Sequence, residues 1–193
     1  VSDPVLHLLA GPNGSGKTTF YERVLYPVTN LGFVNADFIA TANWPGEEAV
    51  HAYEASMLAA EQRSRFIAER VSFGTETVFS HPSKLELVQT ASDAGYLVTL
   101  HVIAVPVELA VARVVERVGQ GGHTVPEVKV RDRFDRLWGL VHQALHLADE
   151  AHVYDNSRAA TPYREIARYR DGALVGYADW PSWVPAALRV LED

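Results

Sequence analysis

The stretch HLLAGPNGSGKTTF, residues 7–20, sets three glycines and a lysine between an apolar run and the start of a helical pattern. Its inner segment, Gly11-Pro12-Asn13-Gly14-Ser15-Gly16-Lys17-Thr18, satisfies the phosphate-loop pattern G-x-x-x-x-G-K-S/T. The chemistry asks for each residue type. Gly14 and Gly16 reach backbone angles closed to other residues and leave no side chain between the amides and a phosphate. The N-terminus of the following helix adds free N–H groups and a positive dipole end. Lys17 would reach the β and γ phosphates, and Thr18 would offer its hydroxyl to Mg²⁺. From average composition the four fixed positions coincide in roughly one random chain of this length in a hundred. The motif is therefore read as a nucleotide site, with Gly11, Asn13, Gly14, Ser15, Gly16, Lys17, Thr18 and Thr19 as its binding residues and Thr18 as the metal residue.

Working outward, Val5 to Ala10 is a short apolar run bounded by Pro4 and Gly11, as expected of a buried parallel strand. A helix is expected from about Thr18 to Leu25, then a second strand, FVNAD at 33–37, ending in an acid. Val50, Tyr53, Met57, Ala60, Ile67 and Val71 recur at helical spacing, which predicts a long amphipathic helix over 47–71. GTETVFS at 74–80 reads as a strand, 82–94 as a helix closed by Gly95, 96–105 as a β-branched strand and 107–118 as a helix. After the break GQGGH, Thr124 and Glu127 fit a capping box for a helix through Val130, Phe134, Leu137, Val141, Leu145 and Ala148. HVYDNS at 152–157 is a further strand. REIARYRDGALVGYA at 164–178 alternates around Asp171-Gly172 as a hairpin, and a short helix follows Pro185. Strands alternating with helices in this order predict an α/β fold, helices flanking a mainly parallel sheet.

Composition narrows the function. A chain of 193 residues, 48% hydrophobic, can bury one sizeable core, and a single domain over 1–193 is expected. A net charge of −7 argues against holding nucleic acid or an anionic membrane by general basicity. The absence of cysteine excludes disulfides, thiolate metal sites and a cysteine nucleophile. With no basic-then-apolar leader and no apolar run of about 20 residues, a cytoplasmic location is expected.

A phosphate loop alone does not separate a motor, a switch GTPase or a small-molecule kinase. Motors and switches usually end an apolar strand in an acid that works with Mg²⁺, and the strongest later strand, YLVTLHVIAVP, has none. The strand-end acids are Asp37 and Glu76, and in an open parallel sheet the carboxyl ends of strands surround the ligand. Asp37 would orient an acceptor hydroxyl and take its proton; Glu76 would hold Mg²⁺ through water or bind the acceptor. Arg113, Arg117, Arg131, Arg133 and Arg136 flank the glycine-rich break, which suits a lid of about 113–136 closing over transferring phosphate. The plainer reading is a solvated helical face with Glu116, Asp132 and Asp135 as partners. His123 has no second histidine at ligand spacing.

Taken in order, the phosphate loop, FVNAD, GTETVF, the arginine-flanked GGHTVPE and VYDNS resemble the zeta toxin family of phosphate-loop kinases across about residues 5–158. That resemblance implies a P-loop kinase fold with a helical lid and a C-terminal β-hairpin and tail over about 163–193. It implies Mg²⁺-dependent transfer from ATP or GTP to a small molecule, best known as the 3'-hydroxyl of UDP-N-acetylglucosamine, and an antitoxin protein as partner. By the same resemblance Lys17 and Thr18 are the phosphate and metal residues, Asp37 the base and Glu76 the acid near substrate. Arg117, then Arg133, match the lid arginine, and Asn156 lies in the loop near the nucleotide base. The competing readings are a kinase of another hydroxyl-bearing molecule, an antibiotic or a nucleotide, and a switch that hydrolyses nucleotide without an acceptor. A nucleotide kinase would need an acceptor-site arginine cluster, for which Arg63, Arg65 and Arg70 are the candidates.

Overall fold

The computed structural model describes residues 3–119 and 125–189. Their strands form one sheet in the order β2-β3-β1-β4-β5-β6-β7. These are β1 (Val5–Ala10), β2 (Gly32–Val34), β3 (Phe73–Thr77), β4 (Leu97–Ala104), β5 (Glu150–Asp155), β6 (Arg164–Arg170) and β7 (Ala173–Leu174). The first five run parallel, and the β6–β7 hairpin adds antiparallel at the β5 edge. Asp171 and Gly172 both take positive φ, 50° and 76°, the two-residue turn that matches strand twist.

Side chains of β1 alternate between two cores. Leu6, Leu8 and Ala10 enter the larger one, with α4 (Ala52–Ala68), α5 (Ser83–Asp93) and α7 (Glu127–Leu147). Leu9 enters the smaller one with Ile103, Phe20, Tyr21 and Leu25. Right-handed crossovers account for this division: connections β2→β3, β3→β4 and β4→β5 all step the same way along the sheet, and β1→β2 steps back. The helical run after the phosphate loop therefore lies alone on its face. It consists of α1 (Lys17–Phe20), a π-helical turn (Tyr21–Leu25) and α2 (Tyr26–Thr29), longer than the expected 18–25. Pro27, without an N–H, sits just past the widened turn.

Two expectations are corrected. FVNAD is not a strand throughout: β2 stops at Val34, Asn35 caps α3 (Ala36–Asn43), and Asp37 lies in the first turn of that helix. The long helix is shorter, Ala52–Ala68, and of the expected stripe Ile67 turns inward while Tyr53, Met57 and Ala60 do not. Val50, Tyr53 and Met57 are exposed, whereas Ala55, Ala59 and Ile67 are buried. Helix α3, absent from the sequence reading, packs on α4, whose covered residues include the small Ala55 and Ala59.

Among its described residues, the stretch read as a lid comprises the second half of α6 (Val107–Gly119) and the start of α7. His123 and Thr124 lie outside the described residues. The expected capping box falls with Thr124: Pro126 is the cap and Glu127 the first helical residue. The terminal helix is α8 (Ala186–Arg189). Among the described residues no helix is long and apolar enough to cross a membrane.

Candidate active site at the phosphate loop

The loop between β1 and α1 is held from behind by protein rather than left open. Gly16 has φ 95°, and a Cβ there would lie 2.7 Å from Asn156 Nδ2 and 3.0 Å from the Tyr163 hydroxyl. A Cβ on Gly14, φ 76°, would lie 2.6 Å from the Ala110 carbonyl. These glycines thus permit both the left-handed turn and the close approach of α6 and the β5 end. Asn156 Nδ2 donates to Ser15 O at 2.8 Å, and the Tyr163 hydroxyl donates to Gly16 O at 3.0 Å. Arg113 donates to Asn156 O at 3.1 Å and to Gly14 O at 3.4 Å.

Lys17 is buried, and its Nζ donates to the carbonyls of Gly11 and Pro12, both at 3.0 Å. Burial lowers its basicity, while Glu76 and Asp37 pull the other way. Neutral carbonyls are weaker acceptors than phosphate oxygens, so an arriving phosphate can take the ammonium over. Ser15 Oγ is buried with no partner among the described residues.

The strand-end acid Glu76 meets the loop directly. The Thr18 hydroxyl donates to Glu76 Oε2 at 2.9 Å. Burial pushes the Glu76 carboxyl above the usual range; Lys17, the Thr18 hydrogen bond and Arg117 oppose that, and Asp37 adds to it. Lys17, Asp37, Glu76 and Arg117 therefore share one electrostatic neighbourhood, although they come from four different elements. Asp37 is exposed, aimed by the Asn35 cap, whose Oδ1 accepts from Asp37 N at 2.7 Å and Phe38 N at 3.2 Å. Asn35 Nδ2 is buried and has no partner among the described residues.

The five arginines divide by position. Arg117 lies within electrostatic reach of Lys17 and Glu76, Arg133 Nη1 donates to Asn13 Oδ1 at 3.5 Å, and Arg113 clamps the loop. Arg131 is tied to Glu108 and Glu127 on the surface, and exposed Arg136 donates to the Asp132 carbonyl. Sequence reasoning left Asn35 and Tyr163 out and did not single out Arg113. Asn35 carried a readable signal, an N-cap residue type ahead of a helix; the other two carried none.

A divalent ion fits this donor set. Thr18 Oγ1 and Glu76 Oε2 are hard oxygens at one point, and Mg²⁺ is typically held by one or two protein oxygens with waters and phosphates. Among the described residues no group of three or more His, Cys, Asp or Glu is placed to hold a metal ion.

Residues 6–138 match the family described as AAA domain, a span that runs from β1 into α7 and includes Lys17, Asp37, Glu76, Arg117 and Arg133. The chain belongs to this AAA domain family. A relative from Haemophilus influenzae (strain ATCC 51907 / DSM 11121 / KW20 / Rd), described as an uncharacterized protein, is 30% identical over 125 residues, covering 64% of this chain and 88% of the relative. Among solved structures, the AvrRxo1-ORF1:AvrRxo1-ORF2 complex superposes with a TM-score of 0.71 at 18% identity over 90% of this chain. This chain covers 60% of the AvrRxo1 chain, whose complex has also been solved with ATP. The PezAT toxin–antitoxin system of Streptococcus pneumoniae gives 0.64 at 17% identity, covering 99% of this AAA-domain chain and 76% of its own. At such identities the likeness is one of fold, that of the P-loop kinases: a mainly parallel sheet flanked by helices.

Proposed function

We propose that this AAA-domain protein is a zeta-toxin-like kinase. It transfers the γ-phosphate of ATP or GTP to a hydroxyl of a small molecule, a UDP-activated amino sugar such as UDP-N-acetylglucosamine. The observation that carries the reading is the meeting of Thr18 and Glu76 at 2.9 Å with Lys17, Asp37 and Arg117 around them. A hydrolytic switch has no need of a second, exposed carboxylate on a capped helix opposite the phosphate lysine.

In the proposed reaction the loop amides and Lys17 cradle the donor phosphates. Thr18 and Glu76 would hold Mg²⁺, which when bound neutralises charge on the phosphate oxygens. Asp37 aligns the acceptor hydroxyl. As the bond from the γ-phosphorus to the bridging oxygen breaks, a bond to the acceptor oxygen forms and the hydroxyl proton passes to Asp37. Arg117, with Arg133 beside Asn13, meets the negative charge of the transferring group. An antitoxin is the proposed protein partner, because PezAT is a toxin–antitoxin system and AvrRxo1-ORF1 was solved bound to ORF2.

The test is incubation with Mg²⁺, UDP-N-acetylglucosamine and ATP or GTP, read by mass spectrometry, with Lys17→Ala as control. A gain of one phosphate that the control lacks is expected. No gain with either donor, from protein that binds nucleotide, retires this acceptor.

A further inference from the structure

The apolar stripe expected to seat the long helix faces solvent along most of its length. Val50, Tyr53 and Met57 are 76%, 75% and 48% exposed, and Ala60 is exposed as well. They follow one another at intervals of three, four and three residues, the a/d spacing of a coiled-coil seam. A helical turn in which His51 N donates to Glu47 O at 3.2 Å leads into α4, so the spacing is helical from Glu47 onward. At about 100° per residue the seam lies opposite the side of α4 that is seated on the protein, where Ala55 and Ala59 are buried. It stops at the polar Ser64, and Ile67 is turned inward. Exposed apolar side chains scattered singly need no explanation, but these stand in one line.

The flank of the seam says what covers it. Glu47, Glu54 and Glu61 recur every seven residues, each one place beyond a d position, and all are exposed. His51 lies between the first two, 3.5 Å from Glu47 and 3.8 Å from Glu54, so the row stays acidic even when that imidazole is charged. Between Arg23 and Arg63 the chain carries no lysine or arginine, against the acids Asp37, Glu47, Glu48, Glu54 and Glu61. In a coiled coil this flank carries the charges that choose the partner. A second copy of the chain is a poor choice. Antiparallel pairing would set the glutamate row against itself, and parallel pairing would set it against Ala49, Ser56 and Arg63, of which only the last is basic.

We infer that this face of α4 is a docking surface for an α-helix of another protein, one whose apolar seam is flanked by Lys or Arg at seven-residue intervals. Packing of the two helices buries Val50, Tyr53 and Met57, with the tyrosine as the aromatic anchor, and the glutamate row fixes register and orientation. Because α4 packs on α3, which carries Asp37, the partner sits one helix away from the proposed base. The surface does not depend on which reaction the phosphate loop serves.

The probe is a fluorescein-labelled synthetic peptide of three heptads, with Leu at a and d and Lys at e and g, titrated with the full chain by fluorescence anisotropy. Its lysines keep it from pairing with itself. Wild type is expected to bind it at least about tenfold more tightly than a scrambled peptide of the same composition, or than the same peptide with Glu in place of Lys. The double variant Tyr53→Ser/Met57→Ser should lose about tenfold in affinity and keep its melting temperature, because both side chains are exposed. Glu54→Lys with Glu61→Lys should turn the preference toward the Glu peptide, a gain that a damaged fold does not produce. Failure of wild type to bind the Lys peptide, equal binding of the three peptides, or equal affinity of wild type and the Tyr53→Ser/Met57→Ser variant overturns the docking surface. So does sedimentation of wild type alone as a dimer that the same variant turns into a monomer, which assigns the face to a second copy.

Discussion

Acid should unfold this protein through one histidine. His101 on β4 is 6% exposed, stacked between His7 of β1 and His152 of β5, with Phe20 and Tyr154 also against it. Its Nε2 lies 3.0 Å from His7 Nδ1, and its own Nδ1 has no partner among the described residues. Burial, with His7 and then His152 adding to it, lowers its pKa from 6.5 to about 3. The sign follows from that depression: below 6.5 the unfolded chain takes up a proton that the native state refuses, so stability falls with pH. With a native value near 3, the loss between pH 8 and pH 5 is RT ln(1 + 10^1.5), about 2 kcal/mol, and about 5 kcal/mol is the ceiling below pH 3. His7, also lowered by burial, acts in the same direction. Glu150 and Glu165 pair with Arg170 and His152, and their unfolded reference of 4.5 keeps most of their effect below pH 5. Urea unfolding at pH 8 and pH 5, on wild type and on His101→Phe, isolates the term, since contributions common to both chains cancel. The variant should lose about 2 kcal/mol less than wild type between the two pH values. Equal losses in the two proteins would refute the argument that His101 is held neutral.

Lys17→Ala should abolish phosphate transfer and leave circular dichroism unchanged, because among the described residues the lysine side chain bonds only the carbonyls of Gly11 and Pro12 in its own loop; undiminished transfer would remove the phosphate-loop assignment. Asp37→Asn keeps the Asn35 cap, which engages only the backbone N–H of residue 37, and should lower turnover by roughly 10² to 10⁴ at near-constant nucleotide affinity in steady-state kinetics. Gly16→Ala places a methyl 2.7 Å from Asn156 Nδ2 in a left-handed turn, so nucleotide binding measured by calorimetry should fall and the melting temperature with it. Thr18→Ala removes the hydroxyl bonded to Glu76, and activity should then require higher Mg²⁺, which a titration of rate against the ion would reveal.

Features set by neighbours along the chain were legible in the sequence. The phosphate loop is a contiguous run whose glycines dictate their own backbone, and Asp171-Gly172 specifies its turn in the same local way. Buried parallel strands read as unbroken apolar runs, so β1 and β4 stood out. Helix α3 did not, because three apolar-flanked residues of β2 run straight into its cap and the junction resembles a longer strand. Apart from Ile67, the inward face of α4 was misread because periodicity weighs large residues, while the other covered ones are alanines. What periodicity and motif cannot contain is the order of strands. Placing β1 between β3 and β4 puts Thr18 against Glu76, 58 residues away, and stacks His7, His101 and His152 in a row. The arginines divide for the same reason: Arg113, Arg117 and Arg133 are alike in sequence, and only the packing of α6 and α7 against the sheet sets which of them reaches the phosphate loop.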